Sequence, residues 1–534
     1  MTTPMTRPGR AVVRGPAADE RGRAALRALG LDDGADLTGE TMDVVSPLTG
    51  SPIGRVPRLG PDDVDRAVQR ARTAQRRWAR TPMRERSRVL LALHDLVWRL
   101  RDPLLDLVQW ESGKARAHAF EELADTAMTA RYYARTGARH LAARRRGGAV
   151  PGLTGVVVHR RPLGVVGIIS PWNYPLTLAA SDAVAALMAG NAVVLKPDSD
   201  TPFTALAVRR LLTRAGADPD LFQVVTGPGS ALGAPLIDAV DAVMFTGSTA
   251  TGSAVASRAG SRLIPVSAEL GGKNPLIVRA DAPVGRTVRG TVKACFSNSG
   301  QLCISIERVY VHRDAWDWFV PALVRAAASL RVGADMGWGA DMGPLISAEH
   351  LAKVHAHVAD AVAGGATVLT GGRALPEVGP TAYAPTLLTG VAEEMEVFAA
   401  ETFGPVASLY RVSDDEEAVR LANASPYGLN AAVWTADLRA GAELAGRIRA
   451  GTVNVNEGYA AAWGSTAAPM GGMGASGLGR RHGPEGIVKY TQSQTIAVQR
   501  LMPLQAPPGV GEARWATAMA AWLRLARHLP GLDR

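Results

Sequence analysis

The sequence predicts an α/β protein with two doubly wound α/β domains and a small separate β element. Two series of short β-rich runs alternating with helices carry this prediction, one between residues 154 and 280 and one from about 280 to 478. A later strand-like run, from Ile487 to Arg500, supplies the β element. The length of 534 residues is enough for two or three domains with well-buried cores.

The part of the chain before these series is predicted to be mainly helical. Residues 1 to about 40 are rich in Arg, Gly, Ala and Asp with weak periodicity, which predicts a partly ordered extension. The run 43–56 predicts two short strands around a Pro/Gly turn. Apolar residues then recur with helical spacing over 64–140, with breaks near 101–103 and 112–114.

The first α/β series contains the runs GVVVHRR, GVVGIIS, AVVLKP, LFQVVTG, AVMFTG and LIPVSAEL. Parallel strands are this apolar when helices cover both faces of their sheet, so the series predicts a doubly wound sheet. The second series contains ERVYVHR, ASLYRV, AAVWTA and GTVNVN. The last strand, IVKYTQSQTIAVQR, has no obvious partner inside that unit, and we expect it to pair across a subunit interface.

The final segment, Glu512 to Leu529, predicts an amphipathic helix. One face of this helix carries Trp515, Met519, Trp522, Leu525 or Ala526, and Leu529. The apolar stripe is no wider than that of an ordinary docked helix. We therefore favour packing on the protein or on a neighbouring subunit over a position on a membrane surface.

The formal net charge of +10 does not indicate a nucleic-acid partner, because the arginines are spread through the chain among Asp and Glu. The one compact basic run, 144–146, is expected to be an exposed helix end rather than a phosphate clamp. The chain has neither a signal-peptide pattern nor an apolar stretch long enough for a membrane span. With two cysteines, a disulfide framework and a Cys-ligated metal site are both excluded, and a reducing cytoplasm fits best.

Of the two cysteines, Cys303 is the candidate nucleophile. It follows Asn298-Ser299-Gly300-Gln301, a polar segment that predicts a loop delivering the thiol into a cleft. Cys295 lies in a more helical, apolar neighbourhood and is expected to be structural. A thiol nucleophile needs a lowered pKa or a nearby base, together with donors placed where an oxyanion forms.

Five motifs, PWNYPLTL, FTGSTATG, ELGGKNP, GQLC and ETFGPV, occur in order between residues 43 and 500. This ordered set resembles the signature of the aldehyde dehydrogenase superfamily. Three further segments, FSNSGQLCISIERVYV, GTVNVNEGYAAAWGS and GRRHGPEGIVKYTQSQTIA, are most similar to actinobacterial members called succinate-semialdehyde dehydrogenase (NADP). The resemblance implies a soluble enzyme that oxidises an aldehyde to a carboxylic acid.

The resemblance assigns three catalytic roles. Cys303 attacks the aldehyde carbon and forms a thiohemiacetal. Asn173 donates its side-chain amide to the resulting oxyanion, together with the backbone N–H of Cys303. Glu269 is the general base for the water that hydrolyses the thioester. Because coenzyme-A-acylating relatives generally lack this glutamate, hydrolysis to the free acid is favoured.

The cofactor site is expected to follow the family pattern with no metal. The segment TGPGSALG places Gly227, Gly229 and Gly233 between a strand and a helix, although this spacing is one residue longer than the usual dinucleotide fingerprint. The resemblance implies that the pyrophosphate rests mainly at Gly247 and Ser248, where a later helix starts. The full set of expected cofactor residues is Ser170, Pro171, Trp172, Lys196, Ser199, Gly229, Gly233, Phe245, Gly247, Ser248, Leu270, Glu401 and Phe403.

Ser199 indicates which cofactor is preferred. Lys196 matches the lysine that contacts the adenosine ribose, and NAD-dependent members carry a glutamate three residues later. That glutamate repels a 2'-phosphate, whereas the hydroxyl of Ser199 does not. We therefore expect NADP to be preferred and NAD to remain possible, although Asp198 and Asp200 flank the serine.

The substrate is less well defined. Clamp-bearing succinate-semialdehyde dehydrogenases hold the substrate carboxylate with two arginines, and this chain has Ser297 and Ser181 at the corresponding places. Substitute groups could come from His482, Arg480 or Arg481, although their loop favours assembly. The longer segment 459–468 is expected to bring Tyr459 and Trp463 to the substrate mouth, so an apolar or aromatic aldehyde is the rival substrate.

The resemblance also implies how the chain is divided into domains. An NAD(P)-binding domain is expected over 41–153 and 162–271, and a catalytic domain over 272–478. Oligomerisation strands are expected at 154–161 and 485–500, and a C-terminal extension over 501–534. The last strand resembles the family's tail that completes a partner's sheet, with 155–161 as its hairpin-like neighbour, which predicts a homodimer or homotetramer. Two other functional classes stay open, a non-catalytic protein with a dehydrogenase fold and a cysteine hydrolase.

Overall fold

The computed structural model describes residues 16–31, 39–148, 154–499 and 505–528; predictions on other residues lie outside the described chain. Its helices in chain order are α1 Pro16–Leu29, α2 Pro61–Trp78, α3 Met83–Arg99, α4 Arg101–Ser112, α5 Arg116–His140, α6 Pro175–Met188, α7 Pro202–Arg214, α8 Gly229–Ala239, α9 Thr249–Ser261, α10 Val284–Phe296, α11 Arg313–Ala328, α12 Ala348–Ala363, α13 Glu396–Ala399, α14 Asp415–Asn423, α15 Leu438–Ala445, α16 Ala460–Trp463, α17 Gly483–Val488 and α18 Glu512–Ala526.

The strands in chain order are β1 Thr41–Val45, β2 Pro52–Pro57, β3 Arg144–Arg146, β4 Thr154–Pro162, β5 Val165–Ile169, β6 Ala192–Lys196, β7 Phe222–Val224, β8 Ala242–Thr246, β9 Val266–Glu269, β10 Asn274–Val278, β11 Ile306–His312, β12 Thr367–Thr370, β13 Thr386–Thr389, β14 Val406–Val412, β15 Asn430–Trp434, β16 Thr452–Val455, β17 Gly477–Leu478 and β18 Thr491–Gln499. β1 and β2 form the hairpin that the 43–56 run predicts.

The first large sheet has the order β17-β9-β8-β5-β6-β7. Its strands are parallel except for β17, which runs antiparallel to β9. The strand interiors are buried, and helices α2 and α5–α9 pack in the same hydrophobic core. The predicted doubly wound sheet is therefore present in this half of the chain.

The second large sheet has the order β12-β13-β14-β11-β10-β15-β16 and is parallel except at β12. Its cores are formed with helices α10–α12, α14 and α15. The chain leaves this sheet after Val455 and returns to the first sheet at β17. The prediction that the catalytic domain continues to residue 478 is wrong at this end, because the backbone of Gly477 pairs with that of Glu269.

The third sheet confirms one prediction and corrects another. It has the order β18-β4-β3, and β18 pairs with β4 of the same chain over their full lengths. The predicted neighbour of the last strand, 155–161, is therefore its partner within the chain, and pairing with a second subunit stays a prediction. The arginine run 144–146 is the exposed strand β3 on the other side of β4 rather than a helix end. Backbone pairing with residues 156–158 of β4 holds this run in the sheet.

The two terminal segments differ in how they contact the protein. Within the predicted N-terminal extension, α1 packs on α4, where the indole of Trp110 donates to Asp19 at 2.9 Å. In α18, none of the residues is buried, and Leu523 and Leu525 are more than half exposed. Among the described residues, no helix combines the length and apolar character that crossing a membrane requires.

Candidate active site

The carboxyl ends of parallel strands bring four predicted segments to one edge of the first sheet. Ser170 to Asn173 follow β5, Lys196 ends β6, Thr246 ends β8 and Glu269 ends β9. The register aligns Thr246 with Glu269 across neighbouring strands. The loop before β11 supplies the thiol of Cys303 from the second sheet. The cleft between the two sheets is thus where the predicted catalytic residues meet.

The loop that carries Cys303 is held by an unusual backbone path. Asn298, Ser299 and Gly300 have positive φ angles of 50°, 58° and 69°. The backbone N–H of Asn298 donates to His118 Nδ1 at 3.1 Å, and the hydroxyl of Ser299 donates to the Gly343 carbonyl at 2.6 Å. At the other side, the amide of Asn274 donates to the carbonyl of Cys303 at 2.7 Å. These contacts fix a strained turn, as expected at a functional site.

Asn173 is positioned by both its backbone and its side chain. Its carbonyl accepts hydrogen bonds from Lys114 and from the amide of Asn298. Lys114 is fully buried in an ion pair with Glu122, which also accepts from the first N–H groups of α6. One N–H of the Asn173 side chain donates to the Gln301 carbonyl at 3.1 Å. Its second N–H can donate to an oxygen bound at Cys303.

Glu269 is buried and has a raised pKa, as a general base that works near neutral pH requires. Its side chain is 3 % exposed, and neither carboxylate oxygen has a hydrogen-bond partner among the described residues. Burial raises the pKa of Glu269 to about 7, against the opposing effect of Arg481 and Lys489. A carboxyl with this pKa is partly ionised at neutral pH and can accept a proton from water.

The thiol of Cys303 is embedded and mainly protonated in this structure. Burial, together with the carboxyls of Glu401 and Glu269, raises its pKa to about 12, whereas Arg481 and the backbone N–H of Cys303 act in the opposite direction. A thiol with so high a pKa needs a proton acceptor before it can attack. Glu401 and Glu269 both act on this thiol and line the same cavity, so either carboxyl can take the proton.

A cavity of about 240 Å³ joins these groups. It is lined by Pro171, Trp172, Asn173, Thr246, Gly247, Ser248, Glu269, Leu270, Gly271, Cys303, His350, Lys353, Glu401 and Phe403. Ten of these residues are predicted from sequence, including all three catalytic candidates. The structure therefore brings the thiol, the amide and the carboxylate to one cavity.

The remaining cofactor candidates lie around this cavity rather than in its lining. The backbone N–H of Ser170 donates to the carbonyl of Lys196 at 3.1 Å, and Lys196 lies beside Gly229 at the start of α8. The hydroxyl of Ser199 donates to the Gly227 carbonyl at 3.3 Å. Phe245 packs under Gly247, and no atom would crowd a side chain at Gly233.

The residues fit a bound dinucleotide. A Cβ at Gly247 would come within 2.7 Å of the Phe245 ring, so only glycine leaves the space between β8 and α9 open. Ser248 caps α9, accepting from the Thr251 N–H at 3.2 Å, which fixes a helix start suited to phosphate. Lys196 supplies a buried cation near the other end of the site, and burial lowers its pKa.

Phe403 occupies a strained conformation that the sequence does not reveal. Its φ of 57° is held because its N–H donates to Glu307 at 3.0 Å and its carbonyl accepts from His350 Nε2 at 2.7 Å. Trp172, His350 and Phe403 form an edge-to-face group with ring centroids 5.3–6.1 Å apart. Sequence reasoning missed His350 and Lys353, which follow no motif and lie in α12.

Glu401, in the loop before β14 of the second sheet, also lines this cavity. Its carboxylate accepts from the Gly272 N–H at 2.9 Å, and burial raises its pKa to about 7. A Cβ at Gly271 would meet this carboxylate at 2.5 Å. The close approach of Glu401 therefore requires glycine at position 271.

A second cavity, of about 50 Å³, shares Asn173 and Cys303 with the first. The rest of its lining is Asp125, Tyr174, Thr177, Leu178, Ser181, Leu302, Ile304, Trp463, Met470, Arg481 and His482. The loop with Arg481 and His482 thus contributes to the site, and its expected role in assembly is corrected for these two residues. Arg481 is paired with Asp182 at 2.8 Å, so its charge is already compensated.

Of the two residues expected at the substrate mouth, one lines the second cavity and the other does not. Trp463 lines the second cavity. Tyr459 does not, because its ring is buried and its hydroxyl bonds to Ser297 at 2.9 Å and to Glu121 at 3.2 Å. The hydroxyl of Ser297 is therefore already hydrogen-bonded to Tyr459. Ser181, in contrast, lines the second cavity, and its hydroxyl donates to Asp125 at 3.0 Å.

The comparisons with known proteins place the chain in a family. The model of the "Aldehyde dehydrogenase family" matches residues 35–496. The chain belongs to the aldehyde dehydrogenase family, and it is an aldehyde dehydrogenase.

Particular relatives refine this placement. The chain is 52 % identical over 491 residues to a Mycobacterium ulcerans protein provisionally named succinate-semialdehyde dehydrogenase (NADP+) 2, covering 92 % of this chain and 94 % of that protein. A solved succinate-semialdehyde dehydrogenase from Burkholderia pseudomallei matches with a TM-score of 0.83 at 35 % identity, over 86 % and 95 % of the two chains. An NAD-dependent aldehyde dehydrogenase from Sinorhizobium meliloti matches with a TM-score of 0.84 at 35 % identity, over 89 % and 94 %.

Proposed function

We propose that this protein oxidises a short aldehyde to its carboxylic acid with NADP+ as the preferred hydride acceptor, and that succinate semialdehyde is the substrate. The observation that carries the proposal is the meeting of Cys303, Asn173 and Glu269 at one cavity. The name of the Mycobacterium ulcerans relative supports both the substrate and the cofactor. NAD+ remains a usable cofactor, in keeping with the name of the Sinorhizobium meliloti structure.

The reaction begins at the thiol. Glu401 or Glu269 takes the thiol proton and passes it to solvent, the sulfur of Cys303 bonds to the aldehyde carbon, and the electron pair of the carbonyl moves to the oxygen. The free N–H of the Asn173 amide and the backbone N–H of Cys303 stabilise this oxyanion of the thiohemiacetal. Glu401 and Phe403 would hold a bound nicotinamide, which would supply the hydride acceptor, and loss of hydride from the former carbonyl carbon would leave a thioester on Cys303.

Hydrolysis then requires Glu269. Its carboxylate takes a proton from a water molecule, whose oxygen bonds to the acyl carbon, and the C–S bond breaks to release the carboxylic acid. The pKa of about 7 suits this exchange, because the group can accept a proton and return it near neutral pH. The product leaves with Cys303 and Glu269 ready for another cycle.

The cofactor residues have matching roles in this proposal. Gly247 and Ser248 at the start of α9 would hold the pyrophosphate, and Lys196 with Ser199 would hold the adenosine ribose and its 2'-phosphate. Glu401 and Phe403 would hold the nicotinamide ribose and ring at the thiol. Trp172 and Leu270 complete the walls of the same cavity.

Replacing Ser199 with Glu should reduce the preference for NADP+. A carboxylate three residues after Lys196 would face the 2'-phosphate and repel it at a cost of about 1–3 kcal/mol, which corresponds to about 5- to 150-fold in kcat/KM with NADP+. Initial rates with each cofactor, measured at a fixed aldehyde concentration, check this. Ser199→Ala, which adds no charge, is the matched control. An unchanged ratio of NADP+ to NAD+ in the glutamate variant would contradict the assignment.

An uncharged aldehyde is the second candidate substrate, because much of the second cavity is apolar. Leu178, Leu302, Ile304, Trp463 and Met470 all line it. Steady-state kinetics with succinate semialdehyde, hexanal and benzaldehyde, each with both cofactors, test the proposed function. We expect reduction of NADP+ with the highest kcat/KM for succinate semialdehyde. No cofactor reduction with any aldehyde would overturn the proposal and favour a non-catalytic protein or a hydrolase.

The assembly and compartment belong to the same proposal. β18 lies at the edge of the third sheet, so its outer N–H and C=O groups can pair with another subunit. We propose a homodimer or homotetramer built through this edge. The cytoplasm suits the enzyme, because Cys303 must stay reduced to act.

A further inference from the structure

The second cavity contains two buried polar atoms that have no hydrogen-bond partner among the described residues. They are the hydroxyl of Tyr174 and Nδ1 of His482, and the two side chains are about 95 % buried. Leaving such a group unpaired costs about 1–3 kcal/mol. Both residues line the cavity that holds the thiol of Cys303, so a substrate atom that enters it can pair with both.

His482 is oriented by the acidic residue next to it. Its Nε2 lies 3.6 Å from Oδ1 of Asp125, and its backbone has a φ of 57° at the start of α17. The other oxygen of Asp125 accepts hydrogen bonds from Thr177 and Ser181. Asp125, in α5, is thus anchored to α6, and its Oδ1, which also accepts from the Thr129 hydroxyl at 3.5 Å, faces the imidazole. This arrangement leaves Nδ1 as the ring atom available to a ligand.

The charges around the imidazole balance each other. Asp182 accepts from Arg481 at 2.8 Å and from Lys489 at 3.0 Å, and Asp125 supplies a second negative charge. The largest electrostatic effects on His482 come from these four groups, whose charges sum to zero. Burial lowers the pKa of His482, and Asp125 opposes this effect. Protonation of the imidazole would therefore give the cavity one positive charge.

We propose that His482, oriented by Asp125 and assisted by the Tyr174 hydroxyl, determines specificity by binding the carboxylate at the far end of a short aldehyde acid. This inference rests on the proposed function and identifies how the site recognises its substrate. A carboxylate in a neutral, buried cavity is costly, and the imidazolium supplies the missing countercharge. The imidazolium of His482 would take the role of the arginine pair of clamp-bearing relatives, because this chain has Ser181 and Ser297 at those two positions. The small volume of the cavity restricts the length of the substrate.

The proposal makes substrate choice depend on pH. Because burial lowers the pKa of His482, the imidazole is mostly neutral in the free enzyme at neutral pH, and carboxylate binding must take up a proton. The protonated fraction falls as the pH rises. The ratio of kcat/KM for succinate semialdehyde to kcat/KM for butanal should therefore decrease between pH 6 and 9, by up to about tenfold per pH unit. Butanal has the same chain length and lacks the carboxylate.

The test compares the wild-type enzyme with His482→Asn at each pH. Asparagine tolerates the positive φ and cannot become a cation. In this variant, the ratio should drop about 10- to 100-fold at pH 6, mainly through the KM of succinate semialdehyde, and it should no longer depend on pH. A second variant, Asp125→Asn, should move the pH dependence of the ratio to lower pH, because the group that favours the imidazolium is gone. Circular dichroism checks that both variants are folded.

Three results would overturn the inference. They are an unchanged ratio in His482→Asn, a ratio that does not vary with pH in the wild-type enzyme, and a preference for 4-aminobutanal, whose cationic end would instead select Asp125. Failure of the proposed function looks different, because the wild-type enzyme would then reduce NADP+ with neither succinate semialdehyde nor butanal. Oxidation of succinate semialdehyde with an unchanged ratio in His482→Asn, or with a ratio that does not vary with pH, removes only the role of His482. A preference for 4-aminobutanal removes the proposed substrate as well.

Discussion

Replacing Cys303 with Ala should lower aldehyde-dependent reduction of NADP+ by at least about 10⁴-fold, because no covalent route to the acyl intermediate remains. The thiol is the one nucleophile that lines both the cofactor cavity and the second cavity. The loop that carries it is fixed by contacts of Asn298, Ser299 and Asn274, so a smaller side chain at 303 should leave the loop in place. Initial rates and cofactor binding, measured on the same preparation, check this.

The sequence offers a matched control, because its only other cysteine is Cys295. That thiol is 1 % exposed in α10, and burial raises its pKa well above the ordinary value. Cys295→Ala should keep kcat/KM within about threefold while costing about 1–2 kcal/mol of stability. Native protein should take up one iodoacetamide label in the wild type and in Cys295→Ala, but none in Cys303→Ala. Turnover by Cys303→Ala within tenfold of wild type would contradict the assigned nucleophile.

The sequence predicts those parts of the site that lie in contiguous motifs. The segments around Asn173, Glu269 and Cys303 each contain their own turn residues, so local chemistry and family likeness locate them. The parallel strands are also predicted, because burial on both faces makes their sequences apolar throughout. In these cases, the information lies within a few residues of the feature that it specifies.

The remaining parts depend on contacts between distant segments. His350 reaches Phe403 across 53 residues, and this contact leaves no local pattern, because a histidine after a helix cap is common in any sequence. β18 pairs with β4 across more than 300 residues, and the family resemblance rather than a local pattern indicates this pairing. Lys114 supports Asn173 in the same way, from the turn between α4 and α5. Long-range pairing of this kind requires coordinates.

Arg481 shows why a short sequence motif does not predict whether a charged side chain is buried. In the sequence, the run Arg480-Arg481-His482 is a polar loop that favours a surface role. In the structure, Arg481 is buried against Asp182 and Thr246, and Arg480 donates instead to the carbonyls of Gly472 and Gly479. The buried acid that compensates Arg481 lies almost 300 residues earlier in the chain. The burial of a charged side chain therefore cannot be predicted from its local sequence until the residue that compensates its charge is known.

Replacing Glu269 with Gln should reduce steady-state turnover by about 10²–10⁴-fold while leaving the first hydride transfer possible. Glutamine keeps the size of the side chain but cannot accept a proton from water. The thioester on Cys303 should accumulate, which gives a burst of reduced cofactor close to one per active site, followed by a slow phase. Stopped-flow absorbance measures the burst, and mass spectrometry of quenched protein detects the acyl group on Cys303.

The pH dependence of the slow step identifies the base. The pKa of Glu269 is raised to about 7, and only its ionised form accepts a proton, so hydrolysis by the wild-type enzyme should fall as the pH drops below about 7. Glu269→Gln should lose this dependence. Glu401→Gln changes a second carboxyl of the same cavity, whose pKa is also about 7, and should slow the burst without accumulating thioester. If Glu269→Gln hydrolysed the thioester at the wild-type rate with the same pH dependence, the base would have to be another group.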